Sequence, residues 1–222
     1  MSQSPTKIPN GLMSIRHKPL RFFSQEFYML RGMMFVDHMN FDIALQNYYK
    51  SIGKQTPKLD YSVLFKKIVM HSGLNVDLIK TYIFIPKPDT FLMNDINLNK
   101  YYNWASKLCN SPYIDVVEGN YVARPVSDKK MDITDHDTYY KVEKGTDVNL
   151  SLYTLTKAFY NAYDVAFVAS ADTDYLKVYE TIQDLGKLVN VVAIKEQNIQ
   201  RIRGNVDNIV TLDDSFFSGC IR

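Results

Sequence analysis

The stretch DVAFVASADTDYLKVYETIQDLG, residues 164–186, decides the fold of this 222-residue chain. It opens with an apolar run at 165–169 of the kind that a parallel sheet buries on both faces. Apolar side chains then recur at helical spacing until Gly186, which suits the end of a helix. The turn between strand and helix carries Asp172 and Asp174. Open α/β sheets hold their ligands at such turns, at the carboxyl ends of strands.

Two carboxylates on one short turn allow two interpretations. A helix cap needs only one of them, and a single aspartate at a helix start is most simply a cap. Two carboxylates close together repel, and a site that keeps both ionised usually holds a cation or a positive side chain between them. The turn therefore predicts either a cap with a spare charge or a cation site.

Strand-like and helix-like segments alternate along the rest of the chain. The apolar pattern predicts strands at 33–37, 81–86, 113–120, 164–169, 189–194 and 208–212. It predicts helices at 40–50, 60–70, 96–110, 146–162, 174–185 and 197–203. Five or six strands separated by helices predict an α/β fold with a mostly parallel central sheet and flanking helices.

Two segments carry more specific predictions. Residues 123–145 show no clean period and are predicted to form a loop or an edge hairpin. In the helix at 146–162, Thr146 is the predicted N-cap. The apolar stripe of that helix is predicted to consist of Val148, Leu152, Leu155 and Phe159.

Composition indicates one domain with short appendages. The predicted division is a basic leader at 1–30, a central domain at 31–215 and a C-terminal tail at 216–222. Hydrophobic residues make up 46% of the chain, which is enough to bury a core. No apolar run approaches the roughly 18 residues of a membrane span, and no secretory signal is evident, so no membrane partner is expected. Two cysteines are too few for a disulfide framework and favour a reducing, cytoplasmic setting.

Charge is uneven although the net value is only +2. The first 31 residues carry a net +4, from Lys7, Arg16, Lys18, Arg21 and Arg31 against Glu26. A basic leader can hold a phosphate backbone, while a solvated terminus explains the same charges at least as well. The candidate residues for holding a phosphate backbone are Arg16, Lys18 and Arg21 in the leader, with Lys195, Arg201 and Arg203 in the body.

Further polar residues stand where the predicted topology would bring them to the same edge of the sheet. Asp37 ends the first predicted strand, and Asn40 begins the next helix. Lys144 and Asp147 stand where the helix at 146–162 begins. Capping explains Asn40 or Asp147 taken singly. Together, however, the carboxylates of Asp37 and Asp147 would converge with those of Asp172 and Asp174. Such a cluster predicts a magnesium site, because hard cations take oxygen ligands.

These residues resemble the motifs of the NYN domain family, a branch of the PIN-like metal-dependent ribonucleases. FVDHMNFDIAL at 35–45 is similar to the family's opening D-x-x-N motif. VEKGTDVNLSLYTLTKAFYNAYDVAFVASADTDYLKVYETIQDLGKLVNVVAI at 142–194 is similar to its K-G-x-D, S-G-D-x-D and G-K-x-V block. The resemblance covers about residues 31–212 and is specific in the late block.

The resemblance implies a PIN-like fold and the hydrolysis of RNA, expected to be endonucleolytic on single-stranded regions, with Mg²⁺ or Mn²⁺ as cofactor. It implies a catalytic cluster of Asp37, Asp147, Asp172 and Asp174. Among these, Asp37, Asp172 and Asp174 are the expected metal ligands, and Asp147 completes the cluster or positions a water. The supporting residues are Asn40, Lys144 and Ser170.

Two departures from the family pattern bear on activity. Ala171 stands where the family usually has glycine, so a turn that needs positive φ would be strained. Tyr153 stands where many members carry another aspartate, and losing a carboxylate weakens a metal site. The alternative function is therefore a catalytically weak or inactive module that binds RNA or a protein partner, and self-association into a homo-oligomer stays open. A nucleotide-binding protein of another family is disfavoured, because no Gly-rich phosphate loop is present.

Overall fold

The computed structural model of the protein describes residues 29–128 and 130–222. Within them a seven-stranded sheet has the order β4-β3-β2-β1-β5-β6-β7. Neighbouring strands are parallel except β3 and β4, which are antiparallel. The strands are β1 (Leu30–Asp37), β2 (Val76–Pro88), β3 (Ile114–Pro125), β4 (Tyr139–Lys144), β5 (Val165–Ala169), β6 (Leu188–Ile194) and β7 (Asn208–Leu212).

Helices cover both faces of this sheet. They are α1 (His38–Ser51), α2 (Tyr61–His71), α3 (Ile96–Ala105), α4 (Thr146–Phe159), α5 (Leu176–Asp184) and α6 (Asp214–Phe217). One core cluster joins α1, α2 and α6 to one face, and a second joins α4 and α5 to the other. The predicted fold class, α/β with a mostly parallel sheet, is confirmed, but the sheet has seven strands and not five or six.

The additional strand is β4, in the segment predicted to be a loop or an edge hairpin. It pairs antiparallel with β3 at the edge of the sheet, with Tyr121 opposite Glu143. Edge strands are partly solvated, and only the first residue of β4 is buried. Residues 139–144 therefore lack the continuous apolar run of a buried strand, and for this reason the apolar pattern did not predict β4 as a strand of its own.

The short helix predicted at 197–203 is wrong. The segment forms turns, and Ile202 is its sole buried residue. The side chain of Gln197 also accepts a hydrogen bond from the backbone N–H of Ile194 (2.7 Å), which stabilises a turn directly after β6. A single buried side chain does not provide the apolar face that would hold a helix against the sheet.

Helix α4 forms as predicted, but its N-cap and its buried face differ from the prediction. The N-cap residue is Gly145, in a left-handed conformation with φ of 83°, and Thr146 is the first helical residue. Val148 and Phe159 of the predicted stripe are 67% and 73% exposed. The buried residues recur every fourth position as Thr146, Leu150, Thr154 and Ala158. Two of these four buried residues are threonines, so the apolar pattern of α4 alone indicates the wrong stripe as the buried one.

Residues near the end of the sequence pack on the same core. Phe216, Phe217 and Cys220 are buried against α1 and α2, and Leu59 forms an antiparallel bridge with Ile221. Residues 214–222 therefore contribute to the packing of the domain. Among the residues that the structure describes, no helix combines the length and apolar character needed to cross a bilayer.

Candidate functional site

The site is built around Asp37, at the carboxyl end of central strand β1. Asp37 is the N-cap of α1, and its Oδ1 accepts a hydrogen bond from the backbone N–H of Asn40 (3.1 Å). Because β1 pairs with β5 in parallel, Val36 lies opposite Ala169 and Ser170 lies next to Asp37. The Ser170 hydroxyl donates to Asp37 Oδ2 over 3.4 Å. Asp37 is only 6% exposed, so the fold places a carboxyl group in a nearly dry position between two central strands.

Burial raises the pKa of Asp37 to about 6. The N–H of Asn40 and the hydroxyl of Ser170 act in the opposite direction, because they stabilise the ionised carboxylate. The nearby charges of Glu143 and Asp147 raise the pKa further. Three carboxyl groups from β1, β4 and α4 therefore influence one another at this edge of the sheet. Strongly perturbed acids in such positions are typical of functional sites.

The two aspartates of the β5–α5 turn have different surroundings. Asp172 caps the short 3-10 turn at Thr173–Tyr175, since its Oδ1 accepts from the backbone N–H of Asp174 (3.0 Å). The N–H of Asp172 in turn donates to the Ser170 hydroxyl (3.3 Å), which connects this turn to Asp37. Asp174 is exposed. Asp172 thus caps the turn while Asp174 faces solvent, as the first interpretation predicts, and the cation site stays a prediction.

Asp147 is fixed by a buried tyrosine on the neighbouring helical segment. The Tyr175 hydroxyl donates to Asp147 Oδ1 over 2.8 Å, and the Tyr175 ring is 1% exposed. A second contact positions the helix that carries Asp147. A Cβ atom added to Gly119 of β3 would lie 2.9 Å from the backbone N of Thr146, so the glycine allows the first turn of α4 to approach the sheet closely.

Glu143 is an acidic residue of this edge that the sequence did not reveal. It lies on β4, where partial desolvation raises its pKa, with a further contribution from the charge of Asp147. The sequence feature that could have indicated Glu143 is its position directly before the K-G-x-D motif. That position is informative only if residues 139–144 are known to form a strand ending at this edge, because only then does Glu143 lie at the site.

Asn40 connects the first turn of α1 to two other segments of the site. Its Oδ1 accepts from the N–H of Ala171 at 3.5 Å and from the Gln197 side chain at 3.3 Å. Gln197 also accepts from Ile194 N–H, so its side chain joins the end of β6 to α1. Sequence reasoning missed Gln197, because it was assigned to a helix. Lys144 is exposed at the end of β4, where it pairs with Asn120.

Both departures from the family motif have a structural explanation. Ala171 does not have the positive φ that was expected to strain it; in the described ranges, the non-glycine residues with positive φ are Tyr113, Asn161 and Glu196. The prediction of strain at Ala171 is therefore wrong. Tyr153 packs edge-on against Tyr82 and Phe84 of β2, with ring centroids 5.3 and 5.7 Å apart. That position of α4 contributes to the core.

The basic residues of the body that were predicted to bind RNA do not all line the same cavity. Lys195 follows β6 and lines a groove of about 350 Å³ together with Asn40 and Gln197, next to the acidic edge. Arg203 instead lines a separate cavity with the residues at the start of β7. Arg201 is exposed between them in sequence. The leader residues Arg16, Lys18 and Arg21 lie outside the described residues.

The donor set at the acidic edge suits a hard divalent cation. Asp37, Asp147, Glu143 and Asp172 offer carboxylate oxygens there, and after burial the charges of Glu143 and Asp147 contribute to the raised pKa of Asp37. Within residues 29–128 and 130–222, no three acidic, histidine or cysteine groups lie close enough together to hold a metal ion by themselves. Mg²⁺ typically keeps several waters and uses one or two carboxylates together with substrate phosphates. The arrangement therefore fits a cation shared between protein, water and substrate better than an all-protein cage.

Comparison with known proteins supports the family inferred from the motifs. The profile of the NYN domain family matches residues 31–213, and the chain belongs to this family. A crystal structure of a protein of unknown function from Vibrio parahaemolyticus has a similar fold, with a TM-score of 0.53 and 17% sequence identity. The match covers 89% of this chain and 99% of the other. No curated protein matches the sequence. The family points to a nuclease-like protein.

Proposed function

We propose that this protein is a metal-dependent ribonuclease that hydrolyses single-stranded RNA at the carboxyl edge of its sheet, as an endonuclease. One observation carries the proposal. Asp37 is buried where β1 and β5 end side by side, and burial together with the charges of Glu143 and Asp147 raises its pKa to about 6. Keeping several carboxylates ionised at such a place is costly unless a cation joins them.

Mg²⁺ or Mn²⁺ is the cofactor that this proposal requires. In this proposal Asp37 and Asp172 would hold it, and Asp174, exposed on the same turn as Asp172, would complete its surroundings. When bound, the cation polarises the phosphodiester and lowers the pKa of an attacking water. The protein's own residues orient these ligands: Ser170 contacts both Asp37 and Asp172, and Asn40 fixes Asp37 through its backbone N–H.

Asp147 is suited to orient a water. The Tyr175 hydroxyl occupies its Oδ1, so its direction is fixed while its carboxylate stays accessible at the surface. Lys195, and Lys144 at the end of β4, are the basic residues placed to meet substrate phosphates near the acidic edge. The two unpaired cysteines, Cys109 and Cys220, favour activity in the reducing cytoplasm.

Cleavage of a labelled single-stranded RNA tests the proposal. The protein should cut in Mg²⁺ or Mn²⁺ and be inactive in excess EDTA. Asp174→Asn should lower the rate by about two orders of magnitude or more with unchanged thermal stability, because Asp174 is exposed and the amide keeps its shape. Asp115→Asn, which alters an exposed carboxylate paired with Lys80, is the matched control and should cut normally.

Equal cleavage in EDTA would refute metal dependence. RNA binding without cleavage in any divalent cation would instead favour the alternative function, an NYN module that binds RNA without hydrolysing it. Filter binding measured in EDTA separates these outcomes, because it reports affinity when no cation is present.

A further inference from the structure

A cavity beside α1 lies outside the acidic edge. Its volume is about 460 Å³, within the usual range for small-molecule sites. The lining combines two aromatic rings, one carboxylate and two basic side chains, namely Tyr61, Trp104, Asp42, Lys58 and Arg222. Neither Asp37 nor Glu143 lines it, so it is a separate feature of the surface.

The indole of Trp104 is held in a fixed orientation and is 40% exposed. Its ring centroid lies 5.5 Å from that of His38, 5.6 Å from that of Tyr61 and 6.4 Å from that of Tyr101. His38 is fully buried and connects the two tyrosines, with ring nitrogens 2.6 Å from the Tyr101 hydroxyl and 2.8 Å from the Tyr61 hydroxyl. An exposed aromatic ring that its neighbours immobilise binds a flat ring by stacking at little entropic cost.

The cavity lies close to the proposed cleavage site. His38 directly follows Asp37, and Asp42 lies one turn of α1 beyond His38. Five residues of helix span about 7.5 Å along the axis. Stacked nucleotides rise about 3.4 Å each, so a strand with a phosphate at Asp37 can place a base in the cavity within a few nucleotides.

The polar groups of the cavity match a nucleotide. The Asp42 carboxylate accepts from Gln46 through Oδ2 (2.7 Å), and an ionised carboxylate acts only as an acceptor. A base that offers N–H donors side by side therefore pairs with it, as the N1–H and amino group of guanine do. Uracil offers one N–H between two carbonyl oxygens, which a carboxylate repels. Lys58 and Arg222 supply positive charge for the phosphate.

We propose that this cavity binds a base of the RNA strand next to the cleaved linkage, stacked on Trp104, and that Asp42 makes guanine the preferred base. The identity of the ligand as RNA rests on the proposed function, but binding of the base needs no metal. Failure of cleavage and failure of base binding are therefore separate results.

Trp104 makes the test direct, because it is the single tryptophan of the chain. GMP and UMP are titrated into the full-length protein in EDTA, and tryptophan fluorescence is recorded with correction for nucleotide absorbance. GMP should quench the emission saturably and bind about tenfold more tightly than UMP, the preference expected of one bidentate pair. Without saturable quenching by GMP, the cavity is not a base-binding site.

Two variants examine the role of the carboxylate. Asp42→Asn should reduce the GMP preference to within about twofold, since the amide keeps the shape but presents a donor in place of one acceptor. Asp184→Asn, at the end of α5 on the opposite face of the sheet, should keep the tenfold preference. A full preference in Asp42→Asn would overturn the assignment of Asp42. GMP binding without RNA cleavage in Mg²⁺ would refute the ribonuclease and support the cavity.

Discussion

Replacing Asp37 by asparagine should stabilise the metal-free protein while impairing its metal-dependent activity. The pKa of Asp37 is about 6 in the native protein against 3.8 as the reference value, so ionisation of this carboxyl opposes folding. At about 1.4 kcal/mol per pH unit, the difference corresponds to roughly 3 kcal/mol at pH 8. Asparagine also accepts the capping hydrogen bond from Asn40 N–H, so the start of α1 is retained.

The pH dependence gives the sign of this effect. Well below pH 4 the carboxyl is protonated in both states, and the substitution has no electrostatic effect. Between about pH 4 and 6 the unfolded chain releases its proton first, so the wild type loses stability as pH rises. Above about pH 6 the loss is complete. The stability difference between Asp37→Asn and wild type should therefore grow from near zero at pH 4 to roughly 3 kcal/mol at pH 8.

Urea unfolding in EDTA at several pH values measures this difference. For a domain of this size, about 3 kcal/mol also corresponds to roughly 6–12 °C in melting temperature. Asp60→Asn is the matched control, because Asp60 likewise caps a helix but hydrogen bonds with Ser62 lower its pKa. Its substitution should reduce stability at pH 8. Equal or lower stability of Asp37→Asn at pH 8, or a difference independent of pH, would refute the reasoning.

Three further predictions concern the surroundings of the site. Tyr175→Phe removes the hydroxyl that orients Asp147 and should lower the cleavage rate about 10–100-fold, as measured by single-turnover kinetics. It should also cost about 1–2 kcal/mol of stability in urea unfolding. An unchanged rate would remove Asp147 from the mechanism. Gly119→Ala places a methyl group against Thr146 and should destabilise the fold by about 1–3 kcal/mol, whereas an unchanged melting temperature would show that α4 shifts freely. Neutralising the three leader charges, at Arg16, Lys18 and Arg21, should weaken RNA binding in filter-binding assays across salt concentrations. The salt dependence of binding should fall by roughly one unit of slope per lost phosphate contact. No change would show that the leader does not contact RNA.

The buried parallel strands could be predicted because their apolar runs are continuous. The 164–186 stretch forms β5 and α5 as its pattern indicates, and Asp37 ends β1 as predicted. Strand β4 could not be predicted in the same way, because an edge strand with one buried residue lacks an apolar run. The edge hairpin predicted as one alternative for 123–145 is present, but it did not fix where the strand ends, so the position of Glu143 could not be inferred.

The candidate site was predictable where chain order implies spatial order. Asp37 and Ser170 follow neighbouring parallel strands, and the structure brings them into contact. The contact between Tyr175 and Asp147 depends instead on how α4 and the β5–α5 turn pack together, which no local pattern encodes. The exposed face of α4 shows the same limit, since Val148 and Phe159 have core-like spacing but face solvent.

The most direct test of the central claim measures the single-turnover rate of RNA cleavage as a function of Mn²⁺ concentration. The wild-type rate should saturate with Mn²⁺, and Asp37→Asn should need at least about tenfold more Mn²⁺ or not cleave at all. Asp115→Asn should follow the wild-type curve. Identical Mn²⁺ curves for wild type and Asp37→Asn, or cleavage independent of Mn²⁺, would contradict a cation site at this edge of the sheet.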